Sequence, residues 1–425
     1  MLDAALERYG KLRVRAVELT TRHTLESFLA EFHSTASCLE RDERISMEVN
    51  CQSGKNIELL RAALSSDKAN LVSSLEWCYY GKEDVSTVSE LIANNCLGMM
   101  SLNVSFESFS AVDFLSSVLE HPGARDRIKV LELPRDHMGD LPRFFAALRQ
   151  SQVSAMSITG CYLPEYFQQL SAYLESDLLA RLWLSNRNDG ATLELIPALA
   201  NCIRLAELTV HGSYVHRPLS LPNSFYNLQF LYCRFDGLAN EFDWSFLLDS
   251  NVQKLCFDHV IGVDGILLGR ALSVRLEARG LEALRFEECR FAKVALAAIG
   301  MEIARVERLE LDLDELSIEQ VSLALQSPGN QLRELCLGFC DTGVDSILVP
   351  ALRHPNCGLT RLQLTSALPG RKPVLDRIQQ NFSQRVALFT LLQGQQVRRL
   401  YCPLRRLPVD LLRLVGNLLL GQTQQ

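Results

Sequence analysis

Apolar residues recur along most of the chain in one fixed pattern: an apolar residue, two others, a second apolar residue, one other and a third apolar residue. The second residues of successive copies lie 23 to 29 positions apart, a spacing typical of a structural repeat. Two weaker copies precede the clear ones, around Val17 and Met47. The clear copies are Val72/Leu75/Trp77, Met99/Leu102/Val104, Ile128/Leu131/Leu133, Val153/Met156/Ile158, Leu179/Leu182/Leu184, Leu205/Leu208/Val210, Leu228/Leu231/Cys233, Val252/Leu255/Phe257, Leu281/Leu284/Phe286, Val306/Leu309/Leu311, Leu332/Leu335/Leu337 and Leu359/Leu362/Leu364.

Each copy predicts a short strand followed by a helix. The second and third apolar residues alternate with other residues, so they share one face of a strand. Apolar residues at helical spacing follow in several copies, as in the series Leu25, Phe28, Leu29 and Phe32. A strand, a turn, a helix and a return loop form one coil, and stacked coils bury their apolar faces on each other. The pattern therefore predicts an α/β fold, a curved solenoid with a parallel sheet on its concave face and helices on its convex face.

The middle of the chain departs from this pattern. The spacings of 23 and 24 fall around residues 214–223, which contain Pro218 and Pro222 and have no helical period. Proline lacks the backbone donor that a helix interior requires. We therefore expect the convex side to be extended between Val210 and Leu255, with a locally altered curvature.

The segment from Leu332 to Gly343 closely resembles a leucine-rich repeat of the ribonuclease-inhibitor class. Repeats of that class end the strand with Asn or Cys, which bonds the backbone of the turn, and place a Gly before the helix; Cys161, Cys289 and Cys340 occupy the Asn/Cys position. The resemblance covers roughly residues 70–368 and implies the solenoid fold, but not a particular partner. Other copies depart from the class at the Asn/Cys position, with Tyr80, Asp136, Arg187 and Ala367.

The two ends of the repeat array are expected to be capped, because a solenoid exposes apolar surface at each end. Residues 1–43 are predicted to form an N-terminal cap and degenerate first repeat, with a helix and a weak strand. Residues 44–368 are predicted to form the solenoid. Residues 369–425 contain apolar residues at helical spacing and are predicted to form a helical C-terminal cap.

The segment from Leu407 to Leu412 supports a second interpretation of the C-terminal region. It resembles the opening of an F-box, the helix by which substrate receptors bind the Skp-type adaptor of a ubiquitin ligase. F-box chains usually place that module before the repeats, and here it would follow them. A proline that starts a capping helix explains the same residues, so we favour the cap and keep the ligase receptor as the alternative.

Composition narrows the class of partner. The net charge of -7 argues against nucleic-acid binding, which needs a basic surface. The N-terminal sequence does not resemble a signal peptide, and no apolar stretch approaches the 18 residues of a membrane span. The 13 cysteines are scattered and odd in number, as expected of reduced thiols. We expect a cytoplasmic monomer, acting in its own cell or in a host, whose partner is another protein.

Motifs of catalysis are absent from the sequence. It contains no Gly-x-Gly-x-x-Gly after a strand, no phosphate-binding Gly-Lys-Ser/Thr, no Gly-x-Ser-x-Gly and no Cys-x-x-Cys. Cys336 and Cys340 are better explained by the repeat than by a metal site. Cys256 and His259 are close in sequence, but no third group accompanies them. We therefore expect no catalytic residue, cofactor or metal ion, and an enzyme of unknown class is the third interpretation.

The predicted binding surface consists of the strand residues that alternate with the apolar ones and so face the concave side. Aromatic residues and arginine are enriched in binding hot spots, and the later copies of the repeat carry dense charge of both signs. We therefore expect a protein–protein interaction scaffold that holds its partner in the concave face. The candidate contact residues are Arg181, Trp183, Phe230, Tyr232, Lys254, Arg285, Arg308, Glu310 and Glu334.

Overall fold

The computed structural model divides into two compact units, unit 1 over Met1–Phe225 and unit 2 over Tyr226–Gln425. Both units are mixed α/β structures built on parallel sheets. The described residues are 13–19, 25–39, 43–51, 55–66, 69–79, 90, 92, 101–106, 111–133, 139–159, 164–176, 178–185, 199, 202–212, 214–215, 225–235, 244–312, 315–338, 344–354, 356–364 and 383.

The described part of unit 1 contains a parallel sheet whose strands lie side by side in chain order. Helices connect most of the successive strands. The strands are β1 (Arg13–Leu19), β2 (Glu43–Cys51), β3 (Val72–Tyr79), β4 (Ser101–Phe106), β5 (Val130–Leu133), β6 (Ala155–Thr159), β7 (Arg181–Ser185) and β8 (Glu207–His211), and a two-residue strand β9 (Tyr214–Val215) follows. The helices are α1 (Leu25–Ser37), α2 (Lys55–Leu64), α3 (Ala111–Glu120), α4 (Pro122–Arg125), α5 (Leu141–Gln150) and α6 (Pro164–Leu174).

The strand register of unit 1 confirms the strands that the apolar pattern predicts. The second apolar residue of each copy pairs with the second apolar residue of the next, as Leu75 does with Leu102 and Leu131 with Met156. Leu131 and Leu75 are completely buried. Apolar residues of successive strands therefore stack into continuous rows inside the unit.

The helices of unit 1 form for reasons that can be traced in the sequence. In α3, Val112, Leu115 and Leu119 lie one turn apart and are fully buried, which matches their helical spacing. Helix α5 begins after Asp140, whose carboxylate accepts a hydrogen bond from the backbone N–H of Arg143 at 3.0 Å. Such an N-cap satisfies one of the donors left free at a helix start and stabilises the helix by about 1 kcal/mol.

Unit 2 repeats the same arrangement over its described residues. Its sheet contains β10, β12, β13, β14, β15 and β16 in that order, all parallel. The strands are β10 (Asn227–Leu231), β11 (Arg234–Phe235), β12 (Lys254–Asp258), β13 (Leu281–Glu287), β14 (Val306–Asp312), β15 (Glu334–Gly338) and β16 (Arg361–Leu364). The helices are α7 (Phe246–Asp249), α8 (Gly265–Arg279), α9 (Ala292–Ile299), α10 (Glu315–Gln326) and α11 (Val344–Arg353).

A row of aromatic rings forms the core of unit 2 at its first strands. Phe230, Phe257 and Phe286 come from three adjacent strands, and their rings stack with centroids 5.5 Å apart at each step. All three are buried. Burial of each ring contributes about 1.5–3 kcal/mol to the free energy of unfolding, so this row fixes the register of β10, β12 and β13.

One prediction of the repeat register is wrong. The pattern assigned Leu231 and Cys233 to the second and third apolar positions of their copy, but Leu228 pairs with Leu255 and Phe230 pairs with Phe257. Both assignments, Leu231 with Cys233 and Leu228 with Phe230, place apolar residues at the second and third positions. The observed assignment is more stable because it places Phe230 in the stacked aromatic row, whereas Leu231 is the last residue of the strand.

The irregular middle agrees in part with its prediction. Between Val210 and Leu255 the described residues contain the two-residue strands β9 and β11 and only one helix, the four-residue α7. Within the predicted N-terminal cap, β1 and α1 provide the expected strand and helix. The predicted C-terminal cap and the F-box-like segment lie outside the described residues, apart from residue 383. Within the described part of the chain, none of the helices is long and apolar enough to cross a membrane.

Candidate functional site

The polar face of the unit 2 sheet brings together most of the residues that the sequence analysis selected. We call this surface the charged strand face and define it as Lys254, Cys256, Asp258, Glu282, Arg285, Glu287, Arg308, Glu310, Glu334, Cys336 and Arg361. Apart from Glu282, these side chains alternate with buried ones along each strand, as the burial of β12 illustrates at Leu255 and Phe257. Because the strands are parallel and in register, equivalent residues form rows across the sheet, about 4.8 Å from one strand to the next.

Opposite charges meet in two of these rows, whereas a third row brings Asp258 opposite Glu287. Arg285 lies opposite Glu310 with Nε and Oε1 3.6 Å apart, and it also contacts Glu287 on its own strand. Glu334 lies between two arginines, with 3.7 Å to Arg308 and 3.9 Å to Arg361. Such partly exposed pairs contribute about 0–1 kcal/mol each. The rows are therefore a preformed pattern of both charges and only a minor source of stability.

Lys254 lies on β12, the first strand of this face. Its ammonium group lies 2.8 Å from a carboxylate oxygen of Glu282 and 5.0 Å from the centroid of the Tyr226 ring. Burial raises the pKa of Glu282, and the nearby Glu307 carboxylate raises it further. The lysine is consequently held between an acidic and an aromatic group instead of extending freely into solvent.

Two cysteine thiols lie within the charged strand face. Burial raises the pKa of Cys256 to about 12. Arg285 lowers this pKa, and the carboxylates of Asp258 and Glu310 raise it. Burial also raises the pKa of Cys336. A thiol with a raised pKa remains protonated near pH 7 and is a poor nucleophile. These cysteines are therefore neutral polar groups of the surface.

The residue that follows each of three successive strands has a left-handed backbone. The φ angles of Tyr232, His259 and Glu288 are 52°, 51° and 48°. The backbone N–H groups of Tyr232 and His259 donate to the carbonyls of Asp258 and Glu287, at 2.7 and 2.9 Å. Non-glycine residues rarely adopt this conformation, which costs about 1 kcal/mol or more, so the turn geometry is imposed by the stacking of the strands.

Tyr232, His259 and Glu288 form a cluster of two aromatic rings and a carboxylate beside the charged strand face. The Tyr232 ring stacks on His259, with centroids 4.4 Å apart and planes inclined by 16°. The His259 ring nitrogens lie 2.5 Å from Asp258 and 2.7 Å from Glu288. Because both nitrogens are engaged by carboxylates, His259 is not placed to act as a base for Cys256. Tyr232 is 54% exposed.

Cys233 and Cys289 lie in the turns that follow β10 and β13. The thiol of Cys289 donates to the carbonyl of Glu287 at 3.2 Å, and that of Cys233 donates to Leu231 at 3.4 Å. Cys289 thus makes the backbone contact that the resemblance implies for its position. Cys233 makes the same contact and was not recognised, because the predicted register was displaced by three residues and made Cys233 the third apolar residue of the strand.

The remaining candidates lie in unit 1. Trp183 is half-buried and stacks on His211, with ring centroids 6.3 Å apart, and the His211 ring lies 3.0 Å from the Ser185 hydroxyl. Arg181 pairs with Glu207 on the next strand at 3.4 Å. Both candidates therefore occupy the polar face of the unit 1 sheet, as predicted.

The structure corrects one candidate and adds others. Phe230 is completely buried, so it belongs to the core and offers no surface to a partner. Lys254, Arg285, Arg308, Glu310 and Glu334 lie together on the charged strand face. Sequence reasoning selected neither His259 nor Glu288 as a contact residue, since both follow the strands. Their signal was positional: each is the second residue after the third apolar position of its copy.

The described residues contain no cluster of three or more His, Cys, Asp or Glu side chains able to hold a metal ion. In comparisons with known proteins, no family model and no curated sequence matches the chain.

Proposed function

We propose that the chain is a leucine-rich-repeat solenoid of the ribonuclease-inhibitor type that acts as a protein-binding scaffold. Parallel strands in chain order, with the apolar repeat positions in register, support the solenoid within each unit. The contact of the Cys289 thiol with the backbone of its turn supports the repeat class. On this proposal, the charged strand face is part of the concave surface.

The observation that carries the binding proposal is the set of opposite charges paired across β13 to β16. The three pairs across these strands are loose, with separations of 3.6, 3.7 and 3.9 Å, so a partner can exchange them for its own charges at small cost. Charges of both signs confer specificity because a wrong partner meets like charges. The exposed Tyr232 ring supplies the kind of aromatic anchor that is enriched in hot spots. A protein surface with complementary charges of both signs fits this face better than a uniformly anionic nucleic acid.

A charge exchange tests this proposal. In the double variant Arg308→Glu/Glu334→Arg the two side chains can still pair with each other, and the sign of each position is inverted. The new arginine also lies beside Arg361, whose side chain is 63% exposed. We expect the affinity for a partner purified with the wild-type chain to fall at least tenfold, because two contacts become repulsive. The melting temperature should change by less than about 2 °C, since partly exposed pairs contribute little stability.

The control exchanges an exposed arginine–glutamate pair on the helices of unit 1, outside the charged strand face. Arg143 on α5 and Glu120 on α3 form an exposed ion pair at 2.5 Å. The variant Arg143→Glu/Glu120→Arg should leave partner affinity unchanged. Equal loss of affinity in both double variants, or none in either, would refute binding through the charged strand face.

A further inference from the structure

An open pocket of about 520 Å³ lies in unit 2 between the loops that follow β12 and β13 and the starts of helices α8 and α9. Ile261, Ile266 and Val294 line it and are 48%, 48% and 43% exposed. Phe291 forms a buried part of its wall. Single exposed apolar residues are ordinary on a protein surface, but several around one concavity indicate a binding site.

Backbone contacts hold the loop of this pocket in place. The N–H of Phe235 donates to the carbonyl of Ile261 at 2.9 Å, and the N–H of Ile261 donates to Cys233 at 3.1 Å. Gly262 has a φ of 79°, and a Cβ there would lie 1.9 Å from the Phe235 carbonyl oxygen. Only glycine allows so close an approach. The pocket is therefore preformed, which lowers the entropic cost of binding.

The opposite wall is equally fixed. The Phe291 ring meets the edges of Phe257 and Phe286, with centroids 5.6 and 5.8 Å apart. Gly265 at the start of α8 packs on α9 so closely that a Cβ would lie 2.8 Å from the Phe291 carbonyl oxygen. The apolar floor thus continues the aromatic core of the unit.

One cationic side chain, Arg290, and one carboxylate, Asp264, line the pocket. Across the described part of the chain no side chain forms an ion pair or hydrogen bond with the guanidinium group of Arg290. The two glutamates that precede it are committed elsewhere, Glu287 to Arg285 and Glu288 to His259. The Asp264 carboxylate accepts hydrogen bonds from the N–H groups of Ile266 and Leu267 at 2.8 and 3.1 Å, as the N-cap of α8.

We propose that this pocket binds a segment of a protein partner in which a bulky apolar side chain stands next to a carboxylate. The apolar side chain occupies the space between Ile261, Ile266 and Val294, and the carboxylate pairs with Arg290. The pocket does not include residues of the charged strand face, so binding in the pocket is independent of whether that face binds a partner. Apolar contact supplies most of the affinity, and the arginine selects for an acidic neighbour.

The test uses the full chain with isotope-labelled isoleucine methyl groups, followed by nuclear magnetic resonance. The first probes are 4-phenylbutyrate, which joins a ring to a carboxylate, and the uncharged 4-phenylbutyramide. The acid should shift the methyl signals of Ile261 and Ile266 saturably and leave those of the buried Ile299 and Ile303 unmoved. The acid should bind about fivefold more tightly than the amide. This ratio corresponds to the upper free energy of one partly exposed ion pair, about 1 kcal/mol.

A labelled six-residue peptide with adjacent phenylalanine and aspartate at its centre then represents the partner, with an asparagine version as its control. The aspartate peptide should shift the same two methyl signals and bind about fivefold more tightly than the asparagine version. Arg290→Gln should remove that preference, and Val294→Glu should abolish binding by placing a carboxylate in the pocket. Val274→Glu is the matched control, because Val274 is 51% exposed on α8 and lies outside the pocket.

Three results would overturn the proposal. Absence of a saturable shift at Ile261 and Ile266 would show that the pocket binds neither probe. Equal affinity for the acid and the amide would remove the role of Arg290. Binding of the free acid without the peptide would identify a site for small organic acids and exclude a protein segment as occupant.

Discussion

At the residue scale, the site divides into positions that the sequence predicts and positions that depend on the turn. Lys254, Arg285 and Arg308 were predicted because alternation along a strand determines which side chains share a face. His259 and Glu288 escaped prediction because they lie beyond the strands, on left-handed backbone. Nothing in an apolar pattern indicates such a conformation at a histidine or glutamate.

The raised pKa of the half-buried Cys256 thiol leads to a prediction at this scale. Cys256 has a pKa raised to about 12, whereas an ordinary thiol has a pKa of about 8.5. At pH 8.5 in the native protein, iodoacetamide should alkylate Cys256 at least about a hundredfold more slowly than the exposed Cys38, because alkylation requires the thiolate. Mass spectrometry of the digested protein would measure both rates. Denatured protein should alkylate both residues at similar rates, and similar rates in the native protein would contradict the account.

At the scale of elements, the strands and their order follow from the repeat, while one register does not. Most copies offer a single apolar frame, so Leu255, Leu284 and Leu309 were assigned to the positions that they occupy. The copy at β10 offers two frames, and only packing against Phe257 and Phe286 decides between them. Local sequence cannot contain that information, because the deciding rings come from other copies.

The β10 register predicts opposite outcomes for two nearby aromatic residues. Phe230→Ala should lower the free energy of unfolding by about 3–5 kcal/mol, because it removes a buried ring from the stacked row. Tyr232→Ala should lower it by about 1 kcal/mol or less, since that ring is exposed and loses only its stacking on His259. Urea unfolding followed by circular dichroism would compare them. A larger loss for Tyr232→Ala would support the frame that the sequence first suggested.

At the scale of the whole molecule, the sequence predicts the parallel α/β architecture and the polar sheet face of each unit, but not the pocket beside α8 and α9. The strand pattern repeats about every 26 residues and is visible without a structure. The pocket depends on close approaches at Gly262 and Gly265, which a sequence marks only as glycines. It also depends on side-chain geometry, because Glu287 and Glu288 pair with Arg285 and His259 and, among the described residues, leave Arg290 unpaired.

The central claim is that a protein partner covers the charged strand face, and carboxyl footprinting tests it most directly. A carbodiimide and glycine ethyl ester would label exposed carboxylates of the full chain, alone and in complex with a partner purified on it, with mass spectrometry to read each position. Glu310 and Glu334 on the face should be protected at least threefold in the complex, and Glu120 and Glu277 on the helices should label at unchanged rates. Protection of the helical glutamates with unchanged labelling of Glu310 and Glu334 would contradict the claim.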